Sequence, residues 1–370
     1  MDTSEDYNIR FYAPGEEQEI VDLLSLVFTE WKARGKNALD HWRWMYQDNP
    51  LGPCNVAIAV KDDKIVGVGH ELHFYTKVGE IIEKTLYGTD VAVHPEHRGR
   101  GIYTQLVKFR LAQNIGYGFR YSYSPNKILI ERNKRKRRRG DDPTFLFPVD
   151  INRYLLIRDI DLHLEKKKTD NPWLKKQGYK IKKLASTIKT PLTSSISDPE
   201  NIEVNETHDF NEADTFWDKI QSKYKFIAMK NREYLEWRFS DPRSGYYHVL
   251  SAHKDREYCG YVVASIDHET PDYPMGNIVD FLTDGDEFVG KMLLRGALSW
   301  LEDNEINAVN AYTVKGSHAS QVLESLGFID RGDSMYATYR IPNKSGVTHP
   351  DIEQIEVNQI HFMYSDFYVK

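Results

Sequence analysis

A chain of 370 residues exceeds the size at which one hydrophobic core usually stops growing, so two domains of roughly 150 to 200 residues are expected. Apolar residues make up 40% and charged residues 28%, and the net charge of −6 excludes a generally basic binder of nucleic acid or membranes. Two cysteines, Cys54 and Cys259, exclude a disulfide framework and a zinc cluster, and with no apolar run of membrane-spanning length and an acidic N-terminus the expectation is a cytoplasmic protein without a metal.

Residues 8–12 have the character of a short strand, and Pro14-Gly15 turns the chain. From residue 16 to 31 the positions Ile20, Leu23, Leu24, Val27 and Trp31 recur at helical spacing. A second helix is predicted over 38–46, stopped by the breaker cluster Asn49-Pro50-Leu51-Gly52-Pro53. Strands over 56–60 and 65–78 flank the turn Asp62-Asp63 as a hairpin, and a third strand follows over 81–93. His94-Pro95 ends that pattern. A helix over about 101–115 buries Ile102, Leu106 and Phe109, and residues 119–123 return to strand. The order strand, two helices, three antiparallel strands, helix, strand is that of an α/β fold with a mixed sheet.

Residues 164–190 are lysine-rich and lack apolar periodicity, and Thr193-Ser194-Ser195-Ile196-Ser197-Asp198-Pro199 has linker composition. Beyond it, Trp237-Arg238-Phe239-Ser240-Asp241-Pro242 echoes the segment from Trp44 to Pro50. Lys254-Asp255-Arg256-Glu257-Tyr258-Cys259-Gly260 matches Lys61-Asp62-Asp63-Lys64-Ile65-Val66-Gly67 in register. Two matches in the same order predict a tandem repeat of one fold. The expected domains are 1–160 and 201–370, joined by a linker over 161–200.

The chemistry concentrates in Thr89-Asp90-Val91-Ala92-Val93-His94-Pro95-Glu96-His97-Arg98-Gly99-Arg100-Gly101-Ile102-Tyr103, where an apolar strand, a basic glycine loop and a helix start follow one another. That arrangement makes an anion site. Free N–H groups of the first helical turn face the loop, the helix dipole adds partial positive charge, and Gly99 and Gly101 let backbone approach a phosphate. Arg98 and Arg100 add charge.

This segment resembles the GNAT N-acetyltransferase superfamily, whose Gln/Arg-x-x-Gly-x-Gly/Ala loop follows such a strand and binds the pyrophosphate of acetyl-CoA. The match here is Arg98-x-x-Gly101, with Tyr103 where the family has glycine or alanine. The resemblance extends by element order over residues 8–150, and it implies acetyl-CoA as co-substrate. It assigns backbone pairing with the pantetheine to Val91 and Val93, places Ile102 and Tyr103 at the cofactor helix, and matches Asn126 to an asparagine near the cofactor.

Acetyl transfer to an amine needs a base, an oxyanion donor and an acid for the thiolate. The resemblance implies direct attack, with a carboxylate base on the central strands. Asp90 leads, because an acidic residue inside an apolar strand must be hydrogen-bonded or functional. Glu71 and His70 are further candidates, on opposite faces of one strand. For the acid, the family's tyrosine after Asn126 is missing; Tyr121, Tyr123 and Tyr103 are substitutes that the motif does not assign, and Tyr123 is carried forward with Asp90 as the catalytic pair. The six basic residues from Lys134 to Arg139 read as a solvated loop.

In the second half, Asp280-Phe281-Leu282-Thr283-Asp284-Gly285-Asp286-Glu287 occupies the place of the cofactor loop, and its acidic groups repel a pyrophosphate. The expectation is therefore two tandem GNAT-like domains, each a mixed, mostly antiparallel central sheet flanked by helices, the second degenerate. The expected activity is acetyl-CoA-dependent N-acetyl transfer to a primary amine on a small molecule or protein, with no membrane or nucleic-acid partner; nothing sets the acceptor or the oligomeric state. Two rivals stand beside it. One is a non-catalytic acyl-CoA sensor or interaction module, motivated by Tyr103 and the missing tyrosine. The other is a tRNA-dependent aminoacyl transferase, against which the Arg-x-x-Gly loop counts.

Overall fold

The computed structural model describes residues 7–28, 31, 38–113, 119–124, 131, 135, 144–166, 201–268, 272–340 and 352–366. Strand β1 (Asn8–Phe11) and helices α1 (Glu17–Val27) and α2 (Ala38–Tyr46) precede the antiparallel strands β2 (Asn55–Lys61), β3 (Lys64–Val78) and β4 (Ile81–Val93). Helix α3 (Ile102–Gln113) leads to β5 (Phe119–Ser124), followed by β6 (Phe145–Leu146), β7 (Ile151–Ile157) and α4 (Ile160–Lys166). The second half runs through β8 (Ile202–Glu206), α5 (Ala213–Ile220), β9 (Phe226–Ala228), α6 (Arg232–Phe239) and β10 (His248–Lys254). It continues through β11 (Glu257–Asp267), β12 (Met275–Thr283), α7 (Glu287–Asp303), β13 (Ala308–Val314), α8 (His318–Ser325) and β14 (Ile329–Arg340). No helix among the described residues is long and apolar enough to cross a membrane.

The strands form one mixed sheet with a main path β1-β2-β3-β4-β5-β14-β7-β13-β12-β11-β10-β8; β6 pairs with β14, and β9 with β3. Only β4–β5 and β12–β13 are parallel pairs among the described strands. The chain's last strand, β14, lies between β5 and β7, so the first half is sealed by a strand made last. Strand β2 shows how the faces divide: Val56 and Ile58 join the core under α1 and α2, whereas Ala57 and Ala59 turn to Ile102 and Leu106 of α3. Alanines on that side let α3 lie close to the sheet, and at Gly67 a Cβ would stand 2.8 Å from Ile102 Cγ2. Strand β4 has the expected bounds, α1 stops at Val27, and α3 is described as far as Gln113, residues 114–118 lying outside the described residues. Of residues 161–200, expected as a linker, 161–166 belong to α4, where His163 Nδ1 meets the Tyr273 hydroxyl at 2.8 Å. Residues 167–200 lie outside the described residues.

The repeated segments occupy matching positions. Asp62 and Asp63 (φ 49° and 58°) and Asp255 and Arg256 (φ 51° and 72°) each give two successive left-handed residues. Such turns match the right-handed twist of the flanking strands. One residue further in, both hairpins slip register, between Ala59 and Val60 and between Ala252 and His253. The two tryptophans of the echoed motif meet face to face, Trp44 stacking on Trp237 at 4.8 Å and 22°. Their hydrogen bonds are reciprocal: Trp44 Nε1 donates to Trp237 O (3.0 Å) and Trp237 Nε1 to Trp44 O (3.3 Å). Local twofold symmetry therefore relates the ends of α2 and α6. Trp237→Ala should destabilise the fold by about 3–5 kcal/mol, leaving a cavity and an unpaired carbonyl. Urea unfolding checks this, and a loss under about 1 kcal/mol would mean that the stack does not hold the two halves together.

Candidate active site

Among the described residues, strands β4 and β5 pair only at Thr85–Phe119, Leu86–Arg120 and Tyr87–Tyr121. Beyond Tyr87 they separate, and β4 bulges on its other side. Its register against β3 passes from Val68–Ala92 to His70–Thr89, so Asp90 and Val91 together oppose Gly69. The bulge puts Asp90 at φ 42°, a conformation that costs a non-glycine residue about 1–2 kcal/mol. Two bonds hold it there. Tyr46 donates its hydroxyl proton to Asp90 Oδ2 at 2.6 Å, and His70 Nδ1 lies 2.9 Å from the Asp90 carbonyl.

His70 is fully buried, stacked on Tyr46 at 4.1 Å, and its Nε2 accepts from the Trp42 indole at 3.0 Å. An indole N–H only donates, so the histidine proton sits on Nδ1, facing the carbonyl. Burial pushes the imidazole down to about 3. His70 is thus a neutral wedge behind the bulge and not a base. Because its folded value lies below the unfolded one, the stability it supports is present above about pH 6.5 and fades as pH falls towards 3. The slope approaches about 1.4 kcal/mol per pH unit. The wild-type melting midpoint should therefore drop between pH 6.5 and 4.5 more steeply than that of a His70→Phe variant; parallel curves would reject this role.

The glycine loop follows directly. Gly99 and Gly101 have φ of 80° and 78°, and no atom lies within 4 Å of a Cβ built on either. Arg98 and Arg100 are exposed, and Arg98 Nε donates to Val93 O at 3.2 Å, fastening the loop to the end of β4. Ile102, 1% exposed, anchors the first turn of α3, whose leading N–H groups have no acceptor within the helix. Tyr103, on the same turn, is exposed and lines a cleft with Val91, Val107 and Ser122. The structure thus brings Asp90, Val91, Val93, the loop and Tyr103 to one end of β4. Asn126 lies outside the described residues, as does the basic run apart from Arg135, which is helical and exposed.

Tyr123 stands on β5 two residues past the last β4–β5 pair, its ring 5.5 Å from Tyr87 and 5.1 Å from Phe362. Burial holds its hydroxyl well above the ordinary tyrosine value, so it stays protonated. Tyr123 and Asp90 thus occupy opposite lips of the splay, both towards the face that carries α2. On the other face, towards α3, Glu71 is fully buried and pairs with Arg110 (3.7 Å) and Arg120. Sequence reasoning missed Arg110, Arg120 and Tyr46. The signal for Arg120 was its alternation with Phe119, Tyr121 and Tyr123, which sends a guanidinium to the face opposite three rings. No group of side chains among the described residues is arranged to hold a metal ion.

The second parallel pair parts as well, after Ile278–Ala311. There the gap is closed by the chain itself: Met363 bridges to Thr313, and Lys230 donates to Asp280 (3.0 Å) and Asp366 (2.7 Å) inside the wedge. The start of α7 is also closed. Asp286 caps it, accepting from Phe288 N and Val289 N, and pairs with Lys254 at 2.9 Å. An anion site at this helix would have to displace the protein's own carboxylate.

Comparison with known proteins agrees with this geometry. The acetyltransferase (GNAT) domain family matches residues 8–124, and no curated protein matches the sequence. Saccharomyces cerevisiae N-myristoyltransferase with bound myristoyl-CoA is similar in structure, with TM-score 0.62 and 12% identity over 97% of this chain and 86% of that one. A GCN5-related N-acetyltransferase from Anabaena variabilis gives 0.57 and 10% over 91% and 73%. One from Kribbella flavida gives 0.53 and 11% over 92% and 72%. Residues 8–124 thus match the acetyltransferase (GNAT) domain family, and over nearly its whole length the chain has the fold shared by these acyltransferase structures.

Proposed function

We propose that the protein is a cytoplasmic N-acyltransferase that moves an acyl group, acetyl in the simplest case, from acyl-CoA to a primary amine by direct attack. Residues 1–160 form the catalytic domain, and 201–370 a degenerate repeat whose cofactor site is closed. The observation that carries this reading is the end of β4. Within a dozen residues it joins a bulge, an open splay from β5 and a helix start preceded by two left-handed glycines, of which Gly101 has no side chain to cap it. The pyrophosphate fits the loop, the pantetheine the gap between β4 and β5 against Val91 and Val93, and the thioester carbonyl the bulge. The likeness to a structure holding myristoyl-CoA supports the same placement.

The amine then approaches from the α2 side, where Asp90 takes its proton and Tyr123 supplies one to the departing sulfur. The N–C bond forms as the C–S bond breaks, and one proton passes in net from nitrogen to sulfur. Much of the rate comes from holding the two reactants in line. Calorimetric titration with acetyl-CoA, followed by thiol-release assays on a panel of amines, tests the reading. Micromolar binding with release dependent on an amine is expected. Binding without release on any amine would leave a sensor, and absence of binding would end the assignment.

A further inference from the structure

On the α3 side of the splay, the cleft between β4 and β5 ends on charge instead of on apolar side chains. Its floor is Glu71, with Arg110 and Arg120 around it and Arg340 in the same lining. Two guanidinium groups share one carboxylate, so the trio carries a net positive charge at the closed end of the gap. Arg110 is only 4% exposed. Its Nη1 donates to His70 O at 2.8 Å, while its Nε has no hydrogen-bond partner, nor does the Nε of Arg120. The Arg110 guanidinium lies flat over Gly69, 3.2 Å from where a Cβ would stand, so the residue opposite the bulge is also the one that admits it. Burial pulls Arg110 down to about 10 and, with Arg340 beside it, Arg120 to about 9; both stay charged at neutral pH. Buried cations with unfilled donors are stabilised by an anion that completes their bonds, and planar forked donors suit a carboxylate.

Resting on the acyl-CoA reading above, we propose that this cleft takes an acyl chain ending in a carboxylate, which docks on Arg110 and Arg120, so that the donor is a short dicarboxylic thioester of CoA. From Val91 at the bulge to Gly88 at the narrow end is three residues, about 10 Å of strand. A succinyl or glutaryl chain reaches about 5–6 Å from thioester carbon to carboxylate oxygen, and the hydrogen bond to a guanidinium adds about 3 Å, so both fit within that span. A long fatty chain would have to bury its tail against two guanidinium groups and Glu71. Transfer is balanced as for acetyl: the N–C bond forms, the C–S bond breaks, CoA leaves as the thiol, and the amide product keeps the free distal carboxylate.

The test is a calorimetric series with CoA, butyryl-CoA and succinyl-CoA, the two thioesters matching in chain length and differing in terminal charge. Succinyl-CoA should bind at least about tenfold tighter than butyryl-CoA in the wild type, a difference of about 1.4 kcal/mol. Glu71→Gln, which removes the competing carboxylate, should widen that ratio. Arg110→Gln should bring it close to one while CoA itself keeps its affinity, which also reports that the variant is folded. Butyryl-CoA binding as tightly as succinyl-CoA, or a ratio that does not widen in Glu71→Gln, overturns the proposal and leaves the acyl-CoA reading standing. Failure of CoA and both thioesters to bind overturns the two together.

Discussion

Gly101→Asp is expected to raise the acyl-CoA Kd by at least about 100-fold while leaving the melting midpoint within a few degrees. Two effects combine, and they separate cleanly. Gly101 has φ 78°, where a side chain costs about 1 kcal/mol, but no atom lies within 4 Å of the new Cβ, so the ligand-free loop keeps its shape. The larger effect is charge. A carboxylate about 5 Å from a pyrophosphate charge is repelled by about 3 kcal/mol at an effective dielectric constant near 20, which is about 100-fold in Kd. It also offers the first-turn N–H groups of α3 an internal acceptor, as Asp286 does for α7. Gly101→Asn is the control, being nearly the same shape, tolerant of left-handed backbone and uncharged. Calorimetry should place the asparagine variant much closer to wild type than to the aspartate variant. If Asp and Asn weaken binding equally, shape alone matters there; if Asp binds like wild type, the phosphate lies elsewhere.

What was legible in the chain follows from which physics is local. The β2–β3 and β10–β11 hairpins could be read because their turn residues and alternation lie within a dozen positions of each other, and the repeated turn showed the second from the first. The glycine loop could be read because its requirement, backbone without Cβ at a helix start, is written in residue type. Asp90 was singled out as an acid inside an apolar strand, but not as a left-handed bulge residue, because the bulge is made by its pairing with Gly69 on another strand. His70 stood behind Asp90 as a further candidate, and only the fold shows that Trp42 and the Asp90 carbonyl take both its nitrogens. The exchange that seats β14 between β5 and β7, and the segment 352–366 that fills the second wedge, have no periodic signature. The first depends on contacts more than 150 residues apart, such as Ala337 with Tyr123, and the second on contacts such as Lys230 with Asp366, 136 residues apart.

The same bulge sets the second large effect. Asp90→Asn should lower kcat by about 100- to 10,000-fold and leave the KM for acyl-CoA within about threefold, since a general base acts on the amine and not on cofactor binding. Asparagine suits this test because it accepts left-handed backbone and its amide oxygen can still receive the Tyr46 hydroxyl. The β4 geometry therefore survives while the basic oxygen is lost. Asp90→Ala would confuse the two, adding strain at φ 42° to the missing carboxylate. Tyr46→Phe provides the complementary result. The Tyr46 hydroxyl donates to Asp90 Oδ2 and so fixes where the carboxylate points. Tyr46→Phe should lower kcat by less than Asp90→Asn does, with the KM for acyl-CoA within about threefold of wild type. A Tyr46→Phe variant with wild-type kcat would take Tyr46 out of the positioning of the base, and an Asp90→Asn variant with wild-type kcat would move the base to another group. Either way, strain at Asp90 would still need its two hydrogen bonds, because they hold the bulge that opens the sheet.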